Sequence, residues 1–143
     1  MKKKVAVFGL GYDQLYGLKE LKKNYQILGF DSNTKSPGIK YVNKYYPIGL
    51  EDKKKILQIC KKNKIIACFS FSTEYPIILI GWINKKLKLP GFNLKTARFS
   101  RNKDLLRKHL KKNNILTPDF KNYSFNEFKK KIIFFKKKKF LNQ

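Results

Sequence analysis

Acidic side chains are scarce in this chain: nine Asp and Glu stand against 34 Lys and Arg, for a formal net charge of +25 over 143 residues. Such an excess leaves three partner classes open: nucleic acid, an anionic membrane surface, or anionic small molecules. Arginine is scarcer still, confined to Arg98, Arg101 and Arg107. Base-edge and phosphate recognition usually draws on arginine's planar fork, so the lysine excess reads as solvated charge from A/T-rich coding. The two cysteines, Cys60 and Cys68, are too few for a zinc site and are expected to be reduced, buried thiols. The single histidine, His109, sits among lysines without a Cys or carboxylate at ligand spacing, which leaves it a surface helix residue. No Ser/His/Asp or paired-carboxylate arrangement is evident, so no catalytic residue and no metal ligand is assigned. Long apolar runs are missing too. Tyr75–Ile83 is far short of the roughly 20 residues that span a bilayer. Gly9 and Gly11 interrupt the N-terminal apolar segment too early for a signal peptide. A soluble cytoplasmic protein with no membrane role is expected.

What is present is an alternation of apolar runs. Lys4–Phe8 and Gln26–Phe30 read as strands buried on both faces, because they are short, continuous and apolar. Tyr45–Ile48 and Ile65–Phe71 supply a third and a fourth strand. Between them lie a helix over Gln14–Lys23, a loop over Ser32–Gly38, and an amphipathic helix over Glu51–Asn63 that turns Ile56, Leu57, Ile59 and Cys60 inward. A helix over Tyr75–Leu87 follows the polar turn Ser72-Thr73-Glu74, with Pro76 in its first turn. This order predicts an α/β fold with a Rossmann-like parallel sheet of about four to five strands flanked by helices. After Leu89-Pro90-Gly91 the pattern changes to short helices over Leu94–Phe99 and Lys103–Lys112. Phe120–Tyr123 is expected as an edge strand, Ser124 as a helix start, and Ile132–Phe135 as a strand that dissolves into Lys136–Lys139.

Open parallel sheets bind ligands outside the carboxyl ends of their strands. Three loops qualify: Gly9 to Gln14, Asp31 to Asn33, and Ser70 to Glu74. The first contains half of a dinucleotide fingerprint, Gly9-x-Gly11, but Gln14 takes the third glycine position. Its plain alternative is a tight strand-to-helix turn. Asp31 follows roughly 20 residues on, where a ribose-binding acid would stand, or where a strand-end residue caps the next turn. Ser72, Thr73 and Glu74 suit either a ligand or the N-terminus of the next helix.

Several ordered pieces then carry a likeness: Val5-Ala6-Val7-Phe8-Gly9 with Gln14-Leu15, Gly29-Phe30-Asp31, Ser36-Pro37-Gly38 and Phe69 to Glu74. Leu89-Pro90-Gly91, Asn102-Lys103-Asp104 through Arg107, and Thr117-Pro118-Asp119-Phe120 complete the series. In this order the chain, over roughly Lys4 to Phe120, resembles the N-terminal, pre-ATP-grasp domain of ATP-grasp carboxylate–amine ligases, which include carbamoyl phosphate synthetase. The resemblance implies a ligase that phosphorylates a carboxylate with ATP and Mg2+ and lets an amine displace the phosphate. It gives Lys103 a contact to ATP and sets Lys139 at the family's ATP-binding lysine position. Gly9, Gly11, Gln14, Asp31, Ser72, Thr73 and Glu74 then belong to the substrate cleft. The family's phosphate lid and its metal-binding Glu and Asn would lie beyond residue 143, and Phe134 to Phe140 departs from the expected strand.

The expected organisation is therefore a pre-ATP-grasp domain over 1–93, a helical linker over 94–118, and the start of an ATP-grasp domain over 119–143. A frameshift in an adenine-rich tract is the expected origin of the short chain. The partners expected are an anionic small-molecule substrate and either a second copy or a separate chain carrying the ATP-grasp domain. An NAD(P)-binding module is the alternative favoured by Gly9, Gly11 and Asp31. A basic nucleic-acid-binding protein comes last, having no motif beyond charge.

Overall fold

The computed structural model describes the backbone of residues 2–140 and the side chains of residues 2–132. Four strands form one all-parallel sheet: β1 (Lys4–Phe8), β2 (Gln26–Phe30), β3 (Lys44–Tyr46) and β4 (Ala67–Phe69), in the order β3-β2-β1-β4. The apolar runs at β1 and β2 have the bounds that their sequence implies. The outer strands are shorter than expected, because β3 and β4 each have a neighbour on one side only and their flanking residues turn into loops.

Helix α1 (Leu15–Asn24) follows a 3-10 turn at Tyr12–Gln14, and Pro37–Tyr41 forms a second 3-10 turn inside the expected loop. Helices α2 (Lys53–Lys62), α3 (Ile77–Leu87) and α4 (Leu94–Arg101) follow in order. Alternation along each strand divides the core into two layers. Ala6, Phe8, Leu28 and Phe30 pack with Ile56 and Cys60 of α2 and Leu79, Ile80 and Ile83 of α3. Val5, Val7 and Ile27 pack with Leu18 of α1 on the other face. A stack of rings runs through the first layer, Phe8 on Phe30 at 5.3 Å and Phe30 on Tyr46 at 5.0 Å between centroids. Both thiols lie in this layer and are free; burial pushes the Cys60 thiol up to about 12 and raises that of Cys68 as well.

The Leu89-Pro90-Gly91 motif is the turn that ends α3. Lys88 adopts a left-handed cap at φ 53°, and Gly91 at φ 117° has a conformation that a side chain would strain. The buried amide of Asn84 donates from Nδ2 to the Phe92 carbonyl at 3.1 Å and holds the turn on the helix.

The chain separates into two compact units, Met1–Arg101 and Asn102–Gln143. The first holds the sheet and α1 to α4. The second holds α5 (Lys103–Lys112) and α6 (Phe125–Phe140). Asn102 caps α5 by accepting from the Leu105 N–H at 3.0 Å. A capping box opens α6: Ser124 Oγ accepts from the Glu127 N–H at 3.3 Å, and Glu127 Oε2 accepts from the Ser124 N–H at 2.7 Å.

Two expected strands are corrected here. Phe120–Tyr123 is irregular and pairs with no strand among the described residues; Lys121 lies over the Tyr123 ring instead. Ile132–Phe135 falls within the helix α6, where the Ser124 box sets a helical start and the lysines of Lys129–Lys131 are strong helix formers. The side chains from residue 133 onward, Lys139 among them, lie outside the described residues. No helix among the described residues is long and apolar enough to cross a membrane.

Candidate functional site

Chain order places β2 on one side of β1 and β4 on the other, so the loops leaving β1 and β4 diverge. A crevice at this point is where open α/β sheets receive ligands. Two hollows flank it. One, of about 270 Å³, is lined by Gly9, Asp31, Ser32, Glu51, Thr73 and Tyr75, among others. The other, of about 740 Å³, lies along α1 and includes Tyr16, Gly17, Glu20, Phe71 and Ser72. The segment Ser70–Pro76 supplies wall to both.

Gly9 is required by its backbone. At φ +86° it turns the chain out of β1, and its N–H donates to the Phe30 carbonyl at 2.9 Å. Gly11 has an ordinary extended conformation, and a Cβ there would meet nothing within 4 Å. It leaves the loop open without being demanded by it.

Gln14 and Asp31 hold the cleft together from beneath. Gln14 is 2% exposed. Its Oε1 accepts from the Phe71 N–H at 2.7 Å and its Nε2 donates to the Phe71 carbonyl. One side-chain amide thus satisfies both backbone groups of a residue 57 positions away and ties the loop after β1 to the loop after β4. The Asp31 carboxylate accepts three bonds: Oδ2 from the Leu10 N–H at 2.7 Å and Ser36 Oγ at 2.9 Å, and Oδ1 from the Asn33 N–H at 2.9 Å. Tyr45 donates its hydroxyl to the Asp31 carbonyl at 2.9 Å. Burial, with the Asp31 charge nearby, raises the Tyr45 pKa and keeps that hydroxyl a donor.

The third loop is shaped by Ser72, which takes a left-handed φ of 56° and donates its hydroxyl to the Asp13 carbonyl at 3.3 Å. Thr73 Oγ1 accepts from the Tyr75 N–H at 3.4 Å. Helix α3 begins at Ile77 behind Pro76, with no side-chain cap, and the Glu74 carbonyl accepts from the Ile77 N–H at 3.2 Å. The N-cap position itself is Pro76, and Ser72 and Thr73 make their bonds within the turn before it.

The structure brings Gly9, Asp31 and Thr73 to one cleft, buries Gln14 under it, and puts Ser72 on the other hollow. Glu74 is exposed in the same turn, and Lys103 is exposed at the start of α5 in the second unit. Ser32, from the expected loop Asp31 to Asn33, also lines the cleft, and Glu51 and Tyr75, which lie outside the expected loops, complete it. The rule that singled out three strand ends points equally to the fourth, the loop after β3, where Glu51 stands. Among the described residues no group of three His, Cys, Asp or Glu side chains could hold a metal ion.

No protein-family model matches the sequence, and no curated protein does. Solved structures do match the fold. Phosphoribosylglycinamide synthetase from Anaerococcus prevotii superposes with a TM-score of 0.72 at 21% identity, over 91% of this chain and 34% of that one. L-amino acid ligase from Bacillus licheniformis gives 0.67 at 20% identity, over 87% and 36%. N5-carboxyaminoimidazole ribonucleotide synthetase from Thermotoga maritima gives 0.65 at 19%, over 85% and 34%. These are ATP-grasp ligases. The chain has their fold. It spans about a third of their length, and the fold it shares with them is the α/β sheet and helices described above.

Proposed function

We propose that this chain supplies the substrate-side domain of an ATP-dependent ligase of the ATP-grasp type, one that joins a carboxylate to an amine through an acyl phosphate. The observation that carries the reading is the match of nearly the whole chain to about a third of each ligase, with a formed cleft at the sheet's switch point. The chain's own residues bind and orient a small molecule: Gly9 and the Gln14 clamp fix the cleft wall, and Thr73 and Glu51 offer polar contacts. ATP would supply the activating phosphoryl group, and Mg2+ would neutralise its charge. The described residues provide no ligand set for that metal. By itself the chain is inactive as a ligase, and a second chain or further residues complete it. Lys103 and Lys139 stay the proposed contacts to the nucleotide, Lys103 as a compact cation suited to phosphate oxygens.

The NAD(P) reading weakens on one observation: the Gly9 and Leu10 N–H groups, the first donors of the Gly9-x-Gly11 turn, already donate to the Phe30 carbonyl and to Asp31 Oδ2. The nucleic-acid reading weakens on another. Two of the exposed rings that could stack on bases lie under the chain's own cations, Lys131 over Tyr123 at 4.7 Å and Lys129 over Phe125 at 4.8 Å. Calorimetric titration with ATP and with NADH separates the readings. Saturable NADH binding abolished by Asp31→Ala would sink the ligase assignment, and ADP formation by the chain alone would overturn its inactivity.

A further inference from the structure

The smaller cleft has the wrong sign for its protein. Lys and Arg outnumber Asp and Glu by 34 to nine in the sequence, yet two carboxylates and no Lys or Arg line this hollow. A cleft lined without selection would carry mostly bases. Asp31 is fixed in it by three donors, with Oδ1 taking only one of them and retaining room for another. The Glu51 carboxylate is engaged by no hydrogen bond or ion pair among the described residues and lies over Gly49, where the Cβ of any other residue would collide with it. The Tyr75 ring, 64% exposed, offers an aromatic wall, and the Ser32 and Thr73 hydroxyls add neutral polar contacts.

Two backbone N–H groups that could serve a phosphate at this cleft are already engaged. Phosphates settle on free backbone N–H groups at the turn after the first strand. Here the Gly9 N–H is bound to the Phe30 carbonyl and the Leu10 N–H to Asp31 Oδ2. At the Leu10 N–H the protein's own carboxylate takes the place an anion would have. A dianion would then face two like charges with no cation in the wall.

We infer that this cleft takes a positively charged, phosphate-free ligand, a protonated amine, rather than the anionic substrate its overall charge suggests. Its role as the amine of a ligation rests on the ligase reading; its charge preference stands on the cleft itself. An ammonium group placed between Glu51 and Asp31 gains two charge-assisted contacts and can rest on the Tyr75 face.

The test is a 15N NMR titration of the full chain with glycinamide, with its neutral N-acetyl derivative, and with inorganic phosphate. Glycinamide is expected to shift the amides of Gly9, Ser32 and Thr73 saturably, and the other two probes to leave them in place. Glu51 is exposed, so Glu51→Gln leaves the fold intact and weakens glycinamide binding about tenfold. The inference is overturned by phosphate shifting the same amides, by equal binding of the acetylated probe, by an unchanged affinity in the variant, or by no saturable shift with any probe. None of these outcomes depends on ATP, so loss of the ligase reading in the nucleotide titration and loss of the amine site here are separate results.

Discussion

The two units of this chain are built from similar helix-forming material and differ in what they bury. In Met1–Arg101, strands β1 and β2 are almost wholly enclosed, and every member of the hydrophobic core among the described residues lies in this unit. In Asn102–Gln143 no described residue is buried, and Leu116 is 99% exposed. The second unit is held by caps, an i,i+4 pair between Asp104 and Lys108 at 2.8 Å, and rings under cations, contacts that solvent screens and that each contribute little. The difference teaches that local signals suffice to write helices, whereas a cooperative domain needs apolar residues that converge on one layer.

The largest break in this contrast should come from Phe30→Ala. Its ring is fully buried between Phe8 and Tyr46, and its loss is expected to cost about 3–5 kcal/mol in urea unfolding. Leu116→Ala, at the other extreme of exposure, should stay within about 0.5 kcal/mol by the same measurement. Equal costs would abolish the distinction between the units.

Next comes the clamp. Gln14→Ala strips the Phe71 N–H and carbonyl of their partners, at an expected cost of about 1–3 kcal/mol. Faster amide exchange should be confined to the Gly9–Gln14 and Ser70–Pro76 loops; uniform exchange across the sheet would show that Gln14 supports the whole fold instead.

Ser124→Ala should remove about 0.5–2 kcal/mol of local helix stability at the start of α6, read from α6 carbon shifts. Unchanged α6 shifts in the variant would show that Ser124 does not cap the helix.

The smallest effect is in pH. Hydrogen bonds from Ser124, the backbone one foremost, hold the Glu127 carboxyl below its ordinary value. A carboxylate lowered in the folded state contributes above its unfolded pKa and loses that contribution as pH falls through its folded value. Acidification below the usual Glu range should therefore fray the first turn of α6, and an unchanged turn through that window would remove the capping box from the account.

Much of the fold was legible because its signals are local. Continuous apolar runs at Lys4–Phe8 and Gln26–Phe30 admit strands buried on both faces, and helical spacing of Ile56 and Cys60 marks an inward stripe. Ile132–Phe135 was misread for the same reason: four apolar residues in a row fit a strand or a helix, and only the Ser124 cap decides. The site was half legible. Strand-end glycine and polar residues located it, yet nothing in the sequence said that Gln14 would spend its amide on Phe71 or that Asp31 would accept from Leu10, Asn33 and Ser36.

The sequence by itself determined the alternation of strands and helices and the overall charge, since periodicity and composition are properties of neighbours along the chain. Only the tertiary structure decided which charges face the cleft. A chain with 34 basic residues lined its switch-point hollow with Asp31 and Glu51; lysines can reach solvent from almost any surface, while the strand-end carboxylate of Asp31 is held by the backbone donors that converge there.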